Sequence, residues 1–208
     1  MNFYILKGST TKNEKFFKYV EFEKYNANRG DFPRCPYCSD EIGLKKWLPP
    51  YTVKLRGKEF GDMCKGTGNE ILVSKKFKEL WEESNLTGLT FSESPVTVRK
   101  RKANTPVYFV AFPVHTLTWI DEKKSERVAP AALDCQKCRC SGTLKIQRVI
   151  IDEDSWNGED AFYSSSFLNT ILVTQLFKDF IDKNNLTNFE LIPKEDYSLD
   201  FTLPKKKS

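Results

Sequence analysis

Ile71-Leu72-Val73-Ser74, Phe77-Lys78 and Asn85-Leu86-Thr87 recur at an offset of 100 as Ile171-Leu172-Val173-Thr174, Phe177-Lys178 and Asn185-Leu186-Thr187. Each apolar run begins 36 residues after the first cysteine of a Cys-x-x-Cys pair: Cys35-Pro36-Tyr37-Cys38 or Cys135-Gln136-Lys137-Cys138. Ungapped agreement over such a stretch points to an internal duplication. Each copy would then supply half of a four-cysteine site.

Working outward, the two copies read as the same elements in the same order. Residues 2–6 and 107–112 are rich in β-formers and open each copy as a strand. A cysteine turn follows, then an alternating strand at 51–55 and a looser one at 143–151. The apolar runs end in Ser74 and Thr174, hydroxyl residues placed where a helix N-cap accepts a bond from an orphan first-turn N–H. Helices follow near 75–84 and 175–183. Phe77, Leu80 and Trp81, and likewise Phe177, Phe180 and Ile181, fall at i, i+3, i+4 and form one apolar stripe each. Asn85 and Asn185 suit a left-handed helix end, and strands at 89–91 and 189–191 close each copy. The expected fold is α+β: two duplicated halves, each a small sheet with a packed helix, joined by a zinc-binding four-cysteine site. Their bounds are 1–98 and 106–203, with a basic linker at 99–105 and a basic tail at 204–208.

The 208 residues carry a formal charge of +5, which is unevenly placed. Arg99-Lys100-Arg101-Lys102 contributes +4 and Lys205-Lys206-Lys207 contributes +3, so the rest of the chain is at −2. The near-neutral body argues against a nucleic-acid-binding face, which spreads charge over a folded surface. Neither a secretory h-region nor an apolar run of ~20 residues is visible, so a cytoplasmic protein without a membrane partner is expected.

In a reducing compartment, paired cysteines read as metal ligands before disulfides. Two Cys-x-x-Cys turns brought together would complete the tetrahedral thiolate shell that structural zinc requires. The candidate ligands are Cys35, Cys38, Cys135 and Cys138, with Cys140 as a possible substitute. The pairs are separated by 96 residues, far more than in a local ribbon, so it is the repeat rather than the spacing that argues for one site. Disulfides, ordinary buried thiols and a redox centre remain alternatives from the residues alone. Cys64 has no counterpart and reads as structural. No catalytic set can be assembled around the single histidine, His115, and no Gly-rich phosphate loop is present. A non-enzyme is expected.

These motifs resemble the double-CxxCG immunity proteins, best represented in myxobacteria and paired with toxins of polymorphic systems. The resemblance rests on the cysteine turns, on Trp47-Leu48-Pro49, and on the closing pattern. That pattern runs from Asp160-Ala161-Phe162 through Thr170-Ile171-Leu172-Val173 and Phe177 to the segment 186–193. The family's glycine after each second cysteine is Ser39 in one turn and Arg139 in the other, positions where glycine would relieve a positive φ. Cys140-Ser141-Gly142 offers a shifted register for the second turn. The resemblance implies a binding protein that occupies a cognate protein toxin, with zinc as scaffold. Candidate contacts are Trp119 and Trp156, which lie in polar sequence, with Asp152, Asp154 and Glu159 beside them. The competing expectation is a zinc-ribbon-like nucleic-acid binder acting through Arg99 to Lys102.

Overall fold

In a computed structural model, residues 1–8, 18–21, 29–57, 59–65, 70–129, 135–140 and 142–202 are described. The basic tail at 204–208 lies outside them. In chain order the strands are β1 (Phe3–Gly8), β2 (Lys18–Glu21), β3 (Thr52–Arg56), β4 (Met63–Lys65) and β5 (Ile71–Ser74), then helix α1 (Lys75–Glu82). Next come β6 (Leu89–Phe91), β7 (Thr97–Val98), β8 (Tyr108–Thr116), β9 (Lys145–Ile146), β10 (Ala161–Ser164) and β11 (Phe167–Thr174). Helix α2 (Gln175–Lys183), β12 (Phe189–Pro193) and β13 (Leu199–Asp200) complete the order.

Eight strands form one sheet in the order β12-β1-β11-β10-β8-β5-β4, with β6 also paired to β8. The sheet curls nearly closed: Met63 on β4 donates its N–H to Thr187 and accepts a bond from Asn188, both just before β12. This corrects the expected fold class. The protein is mostly β, 35% strand and 14% helix, built on a large barrel-like sheet and not on two α+β halves that each pack their own helix.

The pairing explains why no half can close by itself. Strands β5 and β6, joined by α1, both run antiparallel to β8, with Ile71 opposite Ala111 and Phe91 opposite Ala111 from the other side. Strands β11 and β12, joined by α2, bracket β1 in the same way, with Ile171 and Leu191 both opposite Leu6. The strand inside each βαβ unit therefore comes from the other copy, β8 from the second and β1 from the first. Both helices bury their stripes in one shared cluster, where Phe77 lies 6.4 Å from Phe177 and Trp81 lies 5.8 Å from Phe180 between ring centroids.

Side-chain alternation sends Ile71, Val73, Ile171 and Val173 to the helices and Leu72 and Leu172 to the opposite face. There Leu72 meets Trp47, Tyr51 and Val53, while Leu172 meets Phe3, Ile146 and Ile151. Ser74 and Thr174 cap the helices as expected, each accepting the N–H of Phe77 or Phe177. Two local expectations change. Asn185 is left-handed at φ 49 but Asn85 is not, because the Ser84 hydroxyl closes α1 by donating to Trp81 and accepting from Leu86. The 143–151 stretch supplies only the two-residue strand β9.

Two aspartates connect the βαβ units reciprocally. Asp62 accepts the Ser74 hydroxyl at the start of α1 and the Thr187 N–H after α2. Asp160 accepts the Thr174 hydroxyl at the start of α2 and the Thr87 N–H after α1. Removing either carboxylate strands an N–H and releases a cap. We expect Asp160→Ala, and likewise Asp62→Ala, to lower stability by about 2 kcal/mol in urea unfolding. Each variant should shift a single transition. A second transition in either would show the units to be independent.

Candidate metal centre

The first cysteine turn is the tip of an irregular hairpin. Its arms pair at Arg29 with Trp47 and at Arg34 with Glu41, and Cys35 donates its N–H to Asp40 at 2.8 Å. The base is fixed by a buried Arg29–Glu70 ion pair, by the Trp47 N–H donated to Glu70 at 3.0 Å, and by the Trp47 side chain in the core. The second turn has the same form. Ser39 and Arg139 donate their N–H groups to the carbonyls of Cys35 and Cys135, and both are left-handed, at φ 67 and φ 49. These are the two positions where the resembling family carries glycine, so each turn holds a non-glycine residue in a conformation costing about 1 kcal/mol.

The sulfurs of Cys35, Cys38, Cys135 and Cys138 all lie within 4.8 Å of one another. Cys38 and Cys138 are 3.7 Å apart. A tetrahedron with metal–sulfur bonds of about 2.3 Å has edges of about 3.8 Å, so the four thiols fit a metal of zinc's size. Cys35 and Cys138 are buried beside Ile42, Cys135 is half-buried against them, and Cys38 is exposed. The Cys140 thiol points elsewhere, to the Glu41 carbonyl at 3.1 Å. Cys64 is buried in the core below Leu72, and burial pushes its thiol up to about 12.

The bare thiols resist full ionisation. N–H groups of Cys138 and Lys137 directed at Cys135 hold that thiol down to about 7. Burial pushes Cys138 up to about 11. The Asp40 N–H lowers Cys38, but desolvation and the Cys35 and Cys135 thiols outweigh it and raise the net value. The Cys135 thiolate therefore forms most readily, while burial opposes ionisation at Cys138 and, with the neighbouring thiols, at Cys38. A divalent cation held among the four sulfurs would favour their thiolate forms.

The candidate contact residues separate into two places. Trp119 donates its indole N–H to Asp152 at 3.1 Å, and the Arg139 guanidinium lies 4.7 Å from its ring centre, which ties this pair to the second cysteine turn. Trp156 donates to the Glu159 carbonyl at 3.0 Å and meets Phe3 edge-on at 5.5 Å, at the rim of the core. Asp154 is exposed on the short turn between them.

His115, at the end of β8, stacks on Tyr163 at 4.7 Å. Its ring lies so close to Gly43 that a Cβ there would sit 2.1 Å from it. Nothing in the sequence pattern marks this approach; a glycine in the arm of a cysteine hairpin is its single trace.

The model of the immunity protein family Imm11 matches residues 26–196. The chain belongs to that family. No curated protein matches the sequence.

Burial pushes the His115 imidazole down to about 4 from an ordinary 6.5. The native state therefore favours neutral histidine. Its contribution to stability is full above about pH 6.5 and is lost as the pH falls toward 4. Because the chain has one histidine, a single imidazole resonance should titrate near pH 4. Titration at 6.5 in the folded protein would contradict this environment.

Proposed function

We propose that this Imm11 protein binds and neutralises a cognate protein toxin in the cytoplasm of the cell that makes it, without catalysis. The family membership carries this reading, and the chemistry of the centre supports it. Four thiolates close a zinc shell and leave no position for a catalytic water. Zinc on Cys35, Cys38, Cys135 and Cys138 is then scaffold, joining the hairpin of the first turn to the loop of the second. In this reading the acidic loop forms part of the toxin contact, with Asp154 and Glu159 as outward carboxylates and Trp119, Asp152 and Trp156 as its support. An internal duplication, with exchange of the leading strand between the copies, accounts for the recurring βαβ units. The repeats at 1–98 and 106–203 are then sequence units, with 99–105 as the join.

Metal analysis of purified protein should find about one zinc per chain. Cys35→Ser/Cys135→Ser should lose it, and chelation should lower the melting temperature by several degrees. Full occupancy in the double variant would overturn the ligand set.

Co-expression with the neighbouring gene's product should rescue growth from a toxin that kills without this chain. Lys100→Gln/Arg101→Gln, in the exposed stretch 99–104, should leave rescue intact. Salt-dependent binding of RNA or DNA, with no affinity for that product, would replace immunity by the nucleic-acid reading.

A further inference from the structure

A cleft of about 440 Å³ opens where the first cysteine hairpin lies over the end of β8. The hairpin supplies Phe32, Pro33 and Leu44 as one wall, and Phe112, His115 and Tyr163 form the other side. The volume falls in the range of sites that hold one bulky ring. The floor is uncharged at neutral pH, since burial keeps His115 in its neutral form. Glu70, also at the wall, is spent on Arg29 and on the Trp47 N–H.

The mouth differs from the floor. The Lys46 ammonium lies 4.7 Å from the centre of the Phe112 ring, and Lys45 lies 4.8 Å from that of Phe32. Both lysines are exposed and neither forms an ion pair with a carboxylate among the described residues. Lys46 and Asp31 line the mouth and Lys45 stands over the lining Phe32 ring, so with Glu70 paired to Arg29 the lysines exceed the acid by one. Aromatic walls below a cationic rim complement a ring that carries a carboxylate beside it.

We propose that this cleft receives an aromatic side chain of the toxin, flanked by an acidic residue that meets Lys45 and Lys46. The inference rests on the immunity reading and adds an anchor point to it. A desolvated aromatic in a preformed pocket is the usual form of an interface hot spot. The cleft's position also joins the anchor to the metal centre, because Phe32, Pro33 and Leu44 belong to the hairpin that carries Cys35 and Cys38. Gly43 makes this seating possible by letting that hairpin lie against His115.

The single histidine makes occupancy directly observable. Indole-3-acetate, a ring bearing a carboxylate, should shift the His115 imidazole resonances saturably in the zinc-loaded protein. Tryptamine, the same ring bearing an ammonium, should bind about tenfold more weakly. Lys45→Glu/Lys46→Glu should reverse that preference and weaken toxin binding about tenfold, with melting unchanged. Thr90→Trp, at an exposed position lining the cleft, should abolish the shift and weaken toxin binding at least about thirtyfold. Leu176→Ala, on the exposed side of α2, should change neither. No shift with indole-3-acetate overturns the proposal. Toxin affinity untouched by Thr90→Trp overturns the anchor alone. A normal shift in a protein without any affinity for the toxin defeats the immunity reading, and this occupant with it.

Discussion

Two carboxylates determine how the chain can close. Asp62 and Asp160 each take a hydroxyl from a helix cap and an N–H from the segment that follows the other helix. Asp160 is buried and has no cation among its described partners, so hydrogen bonds alone stabilise its charge. Such charge-assisted bonds are stronger than neutral ones, and losing a partner in a buried site exposes the full desolvation cost. Each aspartate therefore couples the start of one βαβ unit to the end of the other. Each cap forms within its own copy, and the second bond of its aspartate is made only when the other unit is in place. The exchange of β1 and β8 imposes the same condition on the sheet, because each occupies the central position in the unit of the other copy.

The same exchange explains how much of the fold could be read from the chain. Helix stripes, caps and the strands flanking each helix are local properties, and the 100-residue repeat displays them twice. Strand partners are not local. Phe3 pairs with Thr174 as Tyr108 pairs with Ser74, so the central strands recur at 105 residues, not 100. Asp62 lies 12 residues before its cap and Asp160 lies 14 before its own. Ungapped comparison therefore misses both features that join the units. A repeat without its joining features reads as two halves that each pack a helix on their own sheet, and that is where the α+β expectation departed from the nearly closed sheet. Asn85 and Asn185 make the same point in miniature: identical tripeptides end their helices differently because Ser84 supplies a hydroxyl where the other copy has Asn184.

The cysteine site was more legible because most of its geometry is made within single turns. Four residues with a left-handed fifth direct two sulfurs to one side, and both turns adopt this conformation even without glycine. What the spacing could not tell was that the two turns meet. That follows from their supports: one hairpin seated on the sheet by Trp47 and the Arg29–Glu70 pair, the other turn seated on Trp119 through Arg139. The candidate contacts were less legible. Polar neighbours suggested exposed anchors in Trp119 and Trp156, yet both indole N–H groups are bonded within the fold. Local polarity reports the surroundings of a loop, not the face on which its ring lies.

These constraints place the metal centre in an unusual mechanical position. The sheet and helices are already closed by the aspartate clasps and the exchanged strands, whose contacts do not involve the four cysteines. What the cysteines orient is the 29–47 hairpin and the second turn against it. The hairpin is fixed to the body at its base by Trp47 and Glu70, and midway by Gly43 resting on His115. Among the described residues its tip otherwise has only a weak contact with the second turn, the Cys140 thiol on the Glu41 carbonyl and the Lys137 ammonium 5.7 Å from the Tyr37 ring centre. A four-thiolate metal would turn that weak tip contact into a covalent-strength join, fixing the hairpin at base, middle and tip. A surface built on the hairpin would then keep its shape before any partner arrives, and a preorganised surface loses less entropy on binding than one that must order first. A metal held there would thus add to the rigidity of this face more than to the existence of the fold.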